Sequence, residues 1–278
     1  MSYGSIVVHV NNSSRAEERI RLAARIALAE QAHLIGVAPT GFSLLRPGMD
    51  ASELGIYVEQ TLIRLRGRAD EAAARFDAMS DRLGLRAFEH RIVDDEDGYA
   101  ISLHARYADL VVVGQANGND PTIDTSMNFP EHVLLNAGRP TLIVPFAGTF
   151  EVVGGEVLVA WNASREGARA VTDALPFLKR AQNVRVIVIN SAQTLDGHGA
   201  EPGADIALYL ARHGVKVEVH QERSVVDVAN ALLSRAADFG SDLIVMGGYG
   251  HSKFRETLLG GVTRTILEQM TVPVLMSH

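Results

Sequence analysis

The chain has 278 residues, 47% of them hydrophobic and 21% charged, with a net charge of -7 and no cysteine. That composition fits a packed globular protein of two domains and excludes disulfides, thiolate chemistry and cysteine metal sites. The acidic balance argues against nucleic acid or an anionic membrane as partner, because binding there relies on Lys and Arg neutralising phosphates.

The opening "MSYGSIVVHVNNSSRAEE" carries only a short apolar run and no basic leader, so a cytoplasmic protein is expected. From there, β-rich runs alternate with helical segments. "SIVVHV" is followed by a helix over 16–31, then by "HLIGVA", and further on by "LVVVG" and "TLIVPF". Between the second and third strands, Leu54, Val58, Leu62, Leu65, Ala69, Ala73, Phe76 and Leu83 recur at mostly helical spacing. They predict a helix over 51–83, with Gly55 and Gly67 as points of interruption; it reads as a cover for the sheet or, alternatively, as a partner-docking or lid element.

The second half repeats the order. It runs through "EVLVAW", a helix over 167–181, "VRVIVIN", "VKVEVH", a helix over 225–239, "DLIVMGG", a helix in "VTRTILEQM" and "VPVLMS". Alternation of this kind predicts an α/β fold with parallel sheets and helices on their faces. Asp109 to Gly114 matches Asp242 to Gly247, and the intervals from Gly114 to Pro140 and from Gly247 to Pro273 are equal. "VNNSS" answers "WNASR", which sets Asn11 opposite Asn162. Two Rossmann-like domains follow, 1–148 and 154–278, joined by the glycine-containing "AGTFEVVGG".

Chemistry concentrates in "MGGYGHSKFRETLLGGVTRTIL", residues 246–267. Gly247 and Gly250 fall where a buried parallel strand ends, the place at which open α/β sheets bind ligands. Gly260 and Gly261 precede a helix, whose N-terminus favours an anion. His251, Lys253, Arg255 and Arg264 stand against one acid, Glu256, so the stretch reads either as a phosphate cradle or as turns with a solvated basic face. In the first half, Gly114 remains while Asn117, Met127 and Asn128 replace the other glycines, and Pro130 removes an N–H near the helix start; that half is read as having lost the site. Trp161 is read as packing at a strand end, with stacking on a base as the alternative, and His9 as a satisfied or surface strand residue rather than a ligand. No HExxH, P-loop, G-x-S-x-G or G-x-G-x-x-G after a first strand occurs, so no metal site, catalytic residue or dinucleotide site is nominated.

The pattern Gly247-x-x-Gly250, nine residues, Gly260 and a small residue resembles the ATP-binding signature of the universal stress protein family. "EVLVAWNASREGARAV", "VPVLMSH" and the duplication extend the likeness over nearly the whole chain, as in a tandem member. The resemblance implies two five-stranded parallel sheets whose domains pair through "TLIVPF" and "VPVLMS", and leaves a homodimer and an unspecified protein partner open. It also implies a stress-response regulator holding ATP, ADP or AMP, with or without Mg2+, in the C-terminal domain. Phosphate contacts would fall on Gly247, Gly250, Gly260 and Gly261, with Val262 beside them; base and ribose contacts on Ala160, Asn162, Ile189 and Asn190; Met246 would be a further cofactor-binding residue. Gly261 replaces the usual Ser or Thr and Asn162 the usual Asp, which implies weaker or altered binding. The alternatives are a nucleotide-independent scaffold and a slow ATPase or autophosphorylating protein using Ser252 or Thr263.

Overall fold

The computed structural model describes residues 2–42, 55–117, 128–190, 201–250 and 261–278. The chain divides into two compact units, Tyr3–Arg139 and, in the main, Pro140–His278.

In the first unit, β1 (Ser5–His9), α1 (Ala16–Glu30), β2 (His33–Pro39), α2 (Gly55–Arg82), β3 (Phe88–Val93), α3 (Asp97–Ala105), β4 (Leu110–Gly114) and α4 (Phe129–Asn136) follow one another. The strands are parallel in the order β3-β2-β1-β4. Their inner members read as continuous apolar runs because both faces are covered: Ile6, Val7 and Val8 of β1 and Leu110 to Val113 of β4 are fully buried. α2 runs unbroken through Gly67, and its later turns seat Ala69, Ala72, Ala73 and Phe76 in the core. Gly36 of β2 makes that seat possible, since a Cβ there would lie 2.8 Å from the Phe76 ring. The helix thus covers the sheet over that half, and the interruption anticipated at Gly67 does not occur; Gly55 is the first described residue of α2, and 51–54 of the expected helix lie outside the described residues. Pro130 stands in the first turn of α4, where no intrahelical N–H bond is lost.

The second unit contains β5 (Thr141–Val144), β6 (Glu156–Ala160), α5 (Arg165–Asp173), α6 (Leu175–Arg180), β7 (Asn183–Ile189), α7 (Ala204–Arg212), β8 (Val217–Glu222), α8 (Val228–Asp238), β9 (Leu243–Gly247), α9 (Gly261–Gln269) and β10 (Val274–Ser277). Five strands are parallel in the order β10-β9-β6-β7-β8. β5 runs antiparallel along the far edge of β10, with Val274 opposite Ile143 and Met276 opposite Thr141. That ladder places β5 with the second compact unit. The single helix expected over 167–181 is split at Ala174, with Pro176 opening α6.

The duplication has structural content beyond topology. Asp109 Oδ2 accepts the N–H groups of Gly4 and Ser5 at 2.8 and 3.1 Å, and Asp242 accepts those of Gly154 and Gly155 at 2.8 and 3.0 Å. In each unit the same aspartate staples the start of the central strand to its parallel neighbour. Asn11 and Asn162 are likewise equivalent: each Oδ1 accepts the N–H and the hydroxyl of the serine two residues on.

Candidate functional site

Ala160, the last residue of β6, pairs with both Ile187 of β7 and Met246 of β9, so the C-terminal ends of the three strands lie together. Just beyond β6, Asn162 is exposed and its Oδ1 is already engaged with Ser164, at 3.2 Å from the N–H and 2.7 Å from the hydroxyl. Ala163 takes a left-handed conformation at φ 56° to make this turn. Ser164 then caps α5, its Oγ accepting the Gly167 N–H at 3.0 Å. This cap satisfies one of the orphan donors at the start of the helix.

The glycine turn leans on that first helical turn. A Cβ on Gly247 would lie 2.5 Å from the Gly167 backbone nitrogen and 2.7 Å from the Glu166 carbonyl carbon; one on Gly250 would lie 2.6 Å from Glu166 Oε2. Both residues are therefore glycine for close approach to α5. Tyr249 between them is left-handed at φ 56°, and its N–H donates to the buried Thr263 Oγ1 at 3.2 Å. The Gly248 N–H donates to the Ser277 carbonyl at 2.9 Å, and the His278 ring nitrogen Nδ1 lies 3.1 Å from the Gly248 carbonyl. α9 begins at the exposed Gly261, where a Cβ would meet nothing within 4 Å, followed by half-buried Val262.

At the end of β7, Ile189 is half-buried, and Asn190 is left-handed with its Oδ1 accepting the Ser224 N–H at 2.9 Å. Of the residues expected to contact a ligand, Ala160, Asn162, Ile189, Asn190, Met246, Gly247 and Gly250 gather at one end of the sheet. Gly260, with His251, Ser252, Lys253, Arg255 and Glu256, lies outside the described residues. Arg264 faces Glu268, with Nε 2.7 Å from Oε1. Sequence reasoning missed Glu166, which is buried beneath the turn; an acid in the first turn of a helix was the available signal.

In the first unit the counterpart of the Gly247–α5 contact is made by a side chain. With Asn11 set on Asn162, Arg19 occupies the position of Ala170. It is 3% exposed; its Nε donates to the His9 carbonyl at 2.7 Å and its Nη2 to Asn11 Oδ1 at 2.8 Å. Burial pushes the Arg19 pKa down to about 10, against the opposing charge of Asp97. His9 is buried too, with Phe129 at a ring separation of 4.7 Å and Asp97 Oδ2 at 3.5 Å from Nε2. Desolvation is the largest influence on its pKa and lowers it, as does the Arg19 charge, against the pull of Asp97.

Residues 155–278 match the universal stress protein family. The matched segment is the half that keeps the glycine turn. A universal stress protein from Synechocystis is 35% identical over 150 residues, covering 52% of this chain and 49% of that protein, so the chain spans about half the length of this curated relative. Two solved structures extend the likeness of fold over both halves. A universal stress protein from Archaeoglobus fulgidus has a TM-score of 0.70 at 16% identity, covering 98% of this chain and 95% of its own. A functionally unknown protein from Pseudomonas aeruginosa PAO1 has a TM-score of 0.60 at 16% identity, covering 99% and 92%. Among the described residues no group of three or more potential metal-binding His, Asp or Glu side chains is found, and no helix is long and apolar enough to cross a membrane.

Proposed function

We propose that this is an adenine-nucleotide-binding regulatory protein of the universal stress protein type, with the ligand at the ends of β6, β7 and β9 and no rapid chemistry. The observation that carries this reading is the pinned Gly247–Gly250 turn, which ends a central strand and lies beside the first turn of α9, where no described residue would meet a Cβ on Gly261. Backbone N–H groups at such a helix start hold phosphate without side-chain charge. ATP with Mg2+ is the ligand that the family resemblance suggests, with ADP or AMP as alternatives. The family match over 155–278 supports a site in the second unit. For the two domains the proposed bounds are 1–148 and 154–278, whereas the compact units divide between Arg139 and Pro140. Regulation requires the nucleotide to bind two states with unequal affinity.

A second reading, a scaffold that needs no nucleotide, is favoured by the side chains of Asn162 and Asn190, whose amide oxygens are both spent within the fold. Autophosphorylation on Thr263 has less support, since that hydroxyl is buried and accepts the Tyr249 N–H.

Gly261→Asp separates the readings. The substitution meets no neighbour among the described residues, and an acid at a helix start does not harm the helix, but it places negative charge where the phosphates would sit. Saturating ATP with Mg2+, at about 100 times its Kd, should raise stability of the wild type by about 2.7 kcal/mol in a thermal titration and leave Gly261→Asp unmoved. A wild type unmoved by ATP, ADP and AMP would leave the scaffold reading.

A further inference from the structure

A buried carboxylate lies beneath the turn to which the phosphate reading is tied. Glu166 is 3% exposed. Its Oε1 accepts from Arg165 Nε at 2.8 Å, while Oε2 is buried and has no hydrogen-bond partner among the described residues. Oε2 is aimed at Gly250: a Cβ on that glycine would stand 2.6 Å from it and 3.2 Å from Cδ. The absence of a side chain at Gly250 is what admits the carboxylate. Burial, the largest influence, pushes the Glu166 pKa up, but its own backbone N–H, the Arg165 guanidinium and the charge of His278 outweigh it and hold the group below its ordinary value. Glu166 is therefore an anion at neutral pH. Arg165 is 86% exposed, so its compensation is weakened by solvent.

An anion in this position is a liability for a phosphate site unless it selects among phosphates. We propose, resting on the adenine-nucleotide reading above but reversing the order of ligands that the family resemblance suggests, that Glu166 is the charge filter of the Gly247–Gly250 turn, favouring adenine ligands of low phosphate charge, nucleoside and monophosphate, over the di- and triphosphate. Repulsion between unit charges grows with the charge the ligand brings and is strong where water is excluded. Glutamine in the same place keeps the shape and removes the charge.

The test measures affinities of the full chain for adenosine, AMP, ADP and ATP by calorimetry, with a chelator present so that no divalent cation masks the phosphates. In the wild type affinity should fall in that order. Glu166→Gln should tighten ATP by about tenfold or more and leave adenosine within about twofold. Arg165→Gln, at an exposed position that does not threaten folding, should act in the opposite sense, weakening ATP further and sparing adenosine. Unchanged ratios among the four ligands in both variants, or ATP binding tightest to the wild type, would overturn the filter. If none of the four binds the wild type or a folded variant, the nucleotide reading falls and the filter with it. If Glu166→Gln fails to fold, the Arg165→Gln ratios decide alone.

Discussion

The guanidinium of Arg19 lies against Gly114: a Cβ on that glycine would stand 2.7 Å from Nη1. Gly114 is the counterpart of Gly247, and in the second unit the glycine instead admits the backbone of α5. One repeated glycine thus serves two purposes, a seat for a buried cation in the first unit and a strand–helix contact in the second.

Gly114→Ala should therefore destabilise the first unit by about 1–3 kcal/mol, the usual cost of forcing a methyl into a filled core. The Arg19 side chain is flexible, but its hydrogen bonds to His9 and Asn11 hold its end in place. Urea unfolding monitored by far-UV circular dichroism checks this, and a midpoint equal to wild type would mean that Arg19 swings clear.

Gly247→Ala and Gly261→Ala should behave differently although both lie in the same motif. The first puts a methyl 2.5 Å from a backbone nitrogen that cannot move alone, and about 2–4 kcal/mol of stability should be lost. The second meets nothing and begins a helix, so a change within about 0.5 kcal/mol is expected. Melting temperatures of the two variants, compared side by side, give the contrast directly.

Ser164→Ala removes the acceptor for the Gly167 N–H and the donor to Asn162 Oδ1. A loss of about 0.5–2 kcal/mol is expected, as for other N-caps, and Ser164→Asp should recover most of it. Recovery by Asp but not by Gln, read from denaturant midpoints, would identify capping as the cause.

His9 provides a pH signature. Its pKa is lowered in the folded protein, so above the unfolded value of 6.5 both states are neutral and no stability is at stake. As pH falls below 6.5 the unfolded chain takes up a proton that the folded chain refuses, and stability declines until the folded pKa is reached. The slope from this group approaches about 1.4 kcal/mol per pH unit. His9→Gln should flatten the stability profile between pH 6.5 and 5 relative to wild type; equal slopes would show that His9 is protonated readily in the fold.

The periodicity of the chain by itself determined the fold class, because parallel strands buried on both faces must be continuous apolar runs and the helices between them must be amphipathic. β1, β2, β4, β6, β7, β9 and β10 were legible for that reason. β3 was not: "FEHRIV" is an edge strand, half-exposed and interleaved with charge, and nothing but its pairing with β2 distinguishes it. The glycine motif was legible as a place but not as a set of contacts. Spacing in sequence located Gly247 and Gly250 at a strand end, and only the tertiary structure decided that their missing side chains make room for α5 and for the Glu166 carboxylate. Arg19 is the sharpest case. In the sequence it is one cation in a charged helix, "AEERIRLAARIALAE", and in the structure it is buried against the His9 carbonyl, Asn11 and Gly114. Local pattern records what each residue prefers, whereas the filling of a crevice depends on which distant residues are brought to its mouth.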